Sequence, residues 1–138
     1  MKTFEEFLLE RALSTKPSDF KVGDYVEGGS YLGEFQGHEY IVAPISTEDS
    51  FIWKEAIEYS KNLEVDGYKD WFLPNKEELN FAYEQYKNNK DKLEFTEGWH
   101  WSSDIIDVKS ANKVGLAGGT LSFDKKEREL AVRAFRRL

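Results

Sequence analysis

Two histidines and a surplus of carboxylates are the side chains here with the most obvious chemistry, and their spacing organises none of it into a reaction. Neither His38 nor His100 stands in a motif joining it to a serine and to a carboxylate that would orient the ring. With no cysteine in the chain either, nucleophilic catalysis has little support. His38 follows Gly37 and reads as a turn residue. Glu77 and Glu78 are adjacent, but they open a helical pattern, where carboxylates interact favourably with the helix dipole. A calcium site collects about six to eight oxygens, and Asp104, Asp107 and Asn112 could supply only part of one. Gly115 to Gly119 is glycine-rich without the flanks of a phosphate loop, so it reads as a hairpin turn. The expectation is a protein with no catalytic residue, no metal and no cofactor.

What remains is recognition. The stretch from Trp99 to Lys113 combines aromatic and polar side chains of the kinds that make compact contact patches. Strand alternation sends Trp99 and Trp101 to one side and His100 and Ser102 to the other, so only one set can meet a partner. The tryptophans are either both core or both the floor of a ligand surface. We expect His100 on the exposed side, joined by the loop residues Asp104, Asp107 and Lys113. The basic tail, from Lys125 to Arg137, is interspersed with Asp124, Glu127 and Glu129 and reads as a solvated edge strand whose charges discourage edge-to-edge pairing.

These residues need elements to position them. Short runs rich in Tyr, Val and Ile over 24–27, 31–35 and 39–43, separated by Gly28-Gly29 and Gln36-Gly37, predict an antiparallel meander. A first helix is expected near 51–64, with Trp53, Ala56, Ile57, Ser60 and Leu63 on one face. Asp49 or Ser50 would cap it and Val65-Asp66-Gly67 would end it. A second helix is expected near 76–88. Asn75 and Glu78 have the spacing of a capping box, and Leu79, Ala82, Tyr83 and Tyr86 make one apolar face. Strands follow over 99–103, 112–117, 119–123 and 130–135. Strands, two helices, then strands make an α+β layout, with the helices flanking a twisted antiparallel sheet. Trp53 and Trp71 are expected inside.

A chain of 138 residues is one domain's worth, and four Trp, seven Tyr and ten Phe suit a small core of large side chains. The formal charge of −7 argues against sequence-independent nucleic-acid binding, because nothing offsets phosphate repulsion. No apolar run approaches the roughly 18 residues of a membrane span. The absence of cysteine allows a reducing compartment.

Gly67-Tyr68-Lys69-Asp70-Trp71-Phe72-Leu73-Pro74 running into Glu78-Leu79 resembles the G-x-x-x-W-R-L-P-x-x-x-E-L signature of the Legionella collagen-like protein C-terminal domain family. Further motifs follow in the family's order. They are Gly23-Asp24 before Gly28-Gly29, the strand Tyr40 to Pro44, Trp101-Ser102-Ser103, Leu121-Ser122-Phe123 and Val132-Arg133-Ala134-Phe135-Arg136. Together they cover residues 20–138. The resemblance implies a C-type-lectin-like fold with its ligand face built from late loops and strands, here Trp99 to Lys113. Phe72 stands where the family usually has arginine, and the cysteines of secreted members and the paired calcium motifs of lectins are absent.

Residues 1–13 read as an amphipathic peptide, with Phe4, Phe7, Leu8 and Ala12 opposite Glu5, Glu6 and Glu10, and residues 14–19 as a proline-containing linker. Met1 to Glu10 is similar to the capsid-targeting peptide of internal head proteins in T-even-type phages. That likeness implies cleavage by a prohead protease after Glu10, with Leu8 as the other recognition residue. The resulting expectation is a non-enzymatic binding module of a tailed phage. It would be guided to the capsid scaffold by its peptide, carried in the virion head, and ejected into the host cytoplasm to bind a host protein such as a defence nuclease. The alternative is an adhesin-type surface domain that binds carbohydrate or a receptor. Neither reading involves nucleic acid or membrane.

Overall fold

The computed structural model describes residues 19–138; the peptide, its Leu8 and Glu10, and the linker up to residue 18 lie outside the described residues. The described chain is an α+β fold rich in antiparallel sheet. Its strands are β1 (Tyr25–Val26), β2 (Gly29–Phe35), β3 (His38–Val42), β4 (Asp49–Phe51), β5 (Trp99–Ile105), β6 (Ser110–Gly115), β7 (Leu121–Lys125), β8 (Leu130–Val132) and β9 (Phe135–Arg137). Its helices are α1 (Trp53–Asn62) and α2 (Lys76–Asn88).

The strands form two sheets rather than the single one expected. One has the order β1-β2-β3-β9 and the other β4-β8-β5-β6-β7, in which β5 and β8 run parallel. The reason lies in the C-terminal run. What reads as one strand over 130–135 breaks after Val132, so β8 joins the second sheet and β9 crosses to the first. The four-residue span Val132 to Phe135 therefore ties the sheets together with three of its side chains in three different core clusters.

α2 forms as its sequence demands. Asn75 Oδ1 accepts from the Glu78 N–H at 2.7 Å and Glu78 Oε1 accepts from the Asn75 N–H at 2.8 Å, so two orphan donors are satisfied reciprocally. Leu79, Ala82 and Tyr86 are buried along one face. The start of α1 is different. Asp49 and Ser50 do not cap it, because they lie in β4 and pair with Val132 and Ala131; the N-cap position is Ile52, with no side-chain cap. Nor does Gly67 end it. α1 stops at Asn62, and Asp66 and Gly67, both left-handed at φ 52° and 85°, make a tight turn closed by the Val65–Tyr68 bridge. His38 opens β3 rather than sitting within the turn.

Trp71 and Trp101 are buried, while Trp53 is half-buried with its indole N–H donating to Ser102 O at 2.9 Å. The basic tail is a solvated edge only in part: Lys125, Arg128 and Arg137 are exposed, but Arg133 and Arg136 are buried. The turn over 68–72 folds across β9 through the Phe72–Phe135 bridge and brings Asp70 to Arg136, and Glu48 reaches Arg133. Arg136 donates to Asp70 at 2.6 Å and to Glu27 O at 2.9 Å, with its guanidinium 4.2 Å from the Tyr68 ring centre. At the position where the family carries arginine, the Phe72 ring lies 5.3 Å beneath Arg137, which binds the free carboxylate oxygen of Glu78 at 2.9 Å.

Candidate binding face

The second sheet disperses the four residues expected to form a patch. His100 is 0 % exposed, on the face of β5 that packs beneath Phe95, and this overturns its expected place at the surface. The physical reason is a partner invisible in linear sequence. His100 Nε2 meets Glu48 Oε1 at 3.1 Å and Nδ1 meets Gly98 O at 3.0 Å, so both ring nitrogens are engaged inside the protein. The other oxygen of Glu48 accepts from Arg133 Nη1 at 2.8 Å. Arg133 also donates to Ala43 O and Glu94 O. Burial alone would raise the Glu48 carboxyl pKa, but His100, then a hydrogen bond from Thr96, then the charge of Arg133 outweigh it and hold the value down to about 2. Every member of this buried triad is occupied in holding the β8–β9 crossover to the turn over 45–48.

Asp104 is half-buried and its Oδ2 accepts from the Lys76 N–H at 2.6 Å, so it satisfies the first donor of α2 from another strand. Lys113 is half-buried too. Its ammonium lies 2.8 Å from Asp124 Oδ2 and 4.4 Å from the Trp99 ring centre. The hydrogen bond from Lys113 draws the Asp124 carboxyl below its ordinary pKa, and Arg128 adds to it. Trp99 is exposed at one edge while Trp101 is buried in the core, so the two tryptophans on one strand face have different fates. Only Asp107 is fully exposed, and its Oδ1 accepts from the N–H groups of Lys109 and Ser110, both at 2.8 Å, closing the β5–β6 hairpin.

The apolar side chains of that hairpin tip are the part of the Trp99-to-Lys113 stretch that composition and spacing did not single out. Ile105, Ile106 and Val108 are 61 %, 49 % and 90 % exposed, three large apolar side chains around the Asp107 turn. A signal was available: apolar residues crowded into a polar turn sequence, where no core can cover them. A second exposed apolar pair, Leu121 and Phe123, lies along β7. Beside it a groove of about 310 Å³ runs between the first turn of α2 and β7, lined in part by Phe35, Glu77, Val114, Gly119 and Leu121. Among the described residues, no group of three His, Asp or Glu side chains is placed to hold a metal ion, and no helix is long and apolar enough to cross a membrane.

The family described as the Lcl C-terminal domain matches residues 29–136, from the first residue of β2 to Arg136 in β9. The chain belongs to the Lcl C-terminal domain family. Its matched span contains the hairpin, the groove and the Glu48–Arg133 and Asp70–Arg136 ion pairs. Membership makes a binding module, adhesin-like in class, the coarse reading of the domain. No curated protein matches the chain.

Proposed function

We propose that this Lcl C-terminal domain is a non-enzymatic binding module of C-type-lectin-like build whose contact surface is the tip of the β5–β6 hairpin. The observation that carries the reading is the exposure of Ile105, Ile106 and Val108 around a turn that Asp107 holds in shape. Apolar side chains on a pre-ordered hairpin lose little freedom on contact and gain from desolvation, which favours a protein partner. The buried ionisable groups support the same conclusion, since His100, Glu48, Arg133, Arg136 and Glu78 are all engaged in structural pairs.

The carrier in this reading is a tailed phage. Met1 to Glu10 resembles a capsid-targeting peptide, so the chain would enter the head through the scaffold, be trimmed after Glu10, and reach the host cytoplasm with the DNA. There it would bind and block a host protein, for instance a defence nuclease. A cysteine-free chain with a charge of −7 suits a reducing cytoplasm and avoids binding the DNA it travels with. Mass spectrometry of purified particles should find the protein with Arg11 as its first residue; particles without it sink the packaging part. A lysate pull-down should retain one host protein on the wild-type chain and lose it on the Ile106→Asp, Val108→Asp variant. Equal retention on both sinks the hairpin as the contact surface.

A second reading, surface recognition of carbohydrate or a receptor, is favoured by the exposed edge of Trp99 beside Lys113, Asp124 and Arg128. Saturable binding to immobilised glycans that Trp99→Ala abolishes would select it over the first.

A further inference from the structure

The outer edge of β7 carries a pattern of free backbone groups that matches itself. Two hydrogen bonds bracket the β6–β7 ladder, from the Gly115 N–H to Thr120 O at 2.9 Å and from the Lys126 N–H to Lys109 O at 2.8 Å. The register between them is unbroken, Val114 opposite Leu121 through Ser110 opposite Lys125. In an antiparallel pair, bonded residues alternate with residues whose backbone points the other way. The even-numbered positions of β7 therefore bond to β6, and Leu121, Phe123 and Lys125 point their N–H and C=O groups outward. Lys125 is already served, its N–H by Asp124 Oδ1 and its C=O by the Arg128 N–H. The groups of Leu121 and Phe123 have no partner among the described residues, and β7 is the last strand of its sheet.

We propose that the chain forms a two-fold dimer in which the β7 strands of two copies pair antiparallel about Ser122, with Leu121 of each opposite Phe123 of the other. In this register all four free groups of each edge are matched. The two-fold axis is perpendicular to the sheet, so it keeps side chains on their own face. Leu121 and Phe123, 53 % and 61 % exposed, meet the same pair from the second copy in one apolar cluster beside the groove. Charge selects a second copy over an unrelated strand. Two positions beyond the Leu121–Phe123 pair, Lys125 of one copy comes opposite Gly119 of the other, on the groove face where Glu77 lines the wall. Lys125 and Glu77 are exposed and have no ion-pair partner among the described residues, so the pairing supplies each with the other, twice by symmetry. A long apolar edge left bare invites uncontrolled pairing, and a closed two-fold contact removes that edge. The contact leaves the hairpin tip outside the paired register and does not depend on what the tip binds.

Sedimentation of the full chain tests this directly. A monomer–dimer equilibrium is expected between ~10 μM and ~1 mM, the range for a small interface. A monomer throughout overturns the proposal, and is also the result expected if a strand of another protein occupies the edge. Phe123→Pro removes an outward N–H without touching the β6 ladder and should abolish the dimer. If that variant unfolds, charge keeps the test alive: Lys125→Glu should weaken dimerisation about tenfold and Glu77→Lys added to it should restore it, as two coupled charge pairs require. No recovery in the double variant overturns the register. Ser122→Cys places two thiols across the axis with Cα atoms about 4.5 Å apart, within disulfide reach. It should cross-link under mild oxidation far faster than Asp107→Cys at the hairpin tip; equal rates would mean random collision and overturn the pairing.

Discussion

The crossover between β8 and β9 and the outer half of the β5-β6-β7 sheet invert the usual distribution of polarity in opposite senses. At the crossover, the side chains of Arg133, His100 and Glu48 are buried together, with the Phe95 ring beneath the Arg133 guanidinium and edge-on to His100. At the outer sheet, Ile105, Ile106, Val108, Leu121 and Phe123 stand in solvent. The difference teaches that burial here follows available partners rather than residue type. A guanidinium with two carbonyls and a carboxylate in reach can be enclosed, whereas an isoleucine on a hairpin beyond the last helix has nothing to enclose it.

The largest test of that contrast is Arg133→Ala, which leaves one buried oxygen of Glu48 and the carbonyls of Ala43 and Glu94 without their donor. Removing one member of a buried pair costs about 3–5 kcal/mol, so chemical denaturation should show a loss on that scale. A loss below ~1 kcal/mol would mean that the crossover is held by apolar packing alone. Acid should act on the same contact. The Glu48 carboxyl is held down to about 2 from an ordinary 4.5, so its contribution is complete above about 4.5 and fades as pH falls through about 2. Glu48→Gln should flatten this acid limb of the stability curve while lowering stability at neutral pH; an unchanged acid limb would break the assignment.

Asn75→Ala lies between the extremes. It removes the acceptor of the Glu78 N–H and leaves the Glu78 carboxylate still bonded to Arg137, so thermal unfolding should report a loss of about 1 kcal/mol. The smallest effect belongs to the outer region. Val108→Ser should change stability by no more than ~0.5 kcal/mol, because its side chain is already hydrated in the monomer. A larger loss would mean that the hairpin tip is covered within the molecule, and the comparison would collapse.

Local signals in the sequence carried to their elements wherever the interactions that form the element are themselves local. The α2 capping box, the apolar face of Leu79, Ala82 and Tyr86, the Gln36-Gly37 turn and the meander before it all close within a few residues of chain. The motif order that resembled the family was equally legible, because such motifs are linear, and the family match spans nearly the same residues. The start of α1 failed for the opposite reason. Asp49 and Ser50 are good caps in isolation, but pairing with a strand some eighty residues later outbid that preference. His100 failed in the same way, since its alternation was read correctly and its side was not; Glu48, 52 positions away, decides which face of β5 is interior. The sequence by itself determined the α+β order, the second helix and the absence of thiol chemistry. Only the tertiary structure decided which charges are enclosed, that the C-terminal run divides between two sheets, and that the edge of β7 is bare, because each depends on contacts whose partners are distant in the chain and adjacent only once it has folded.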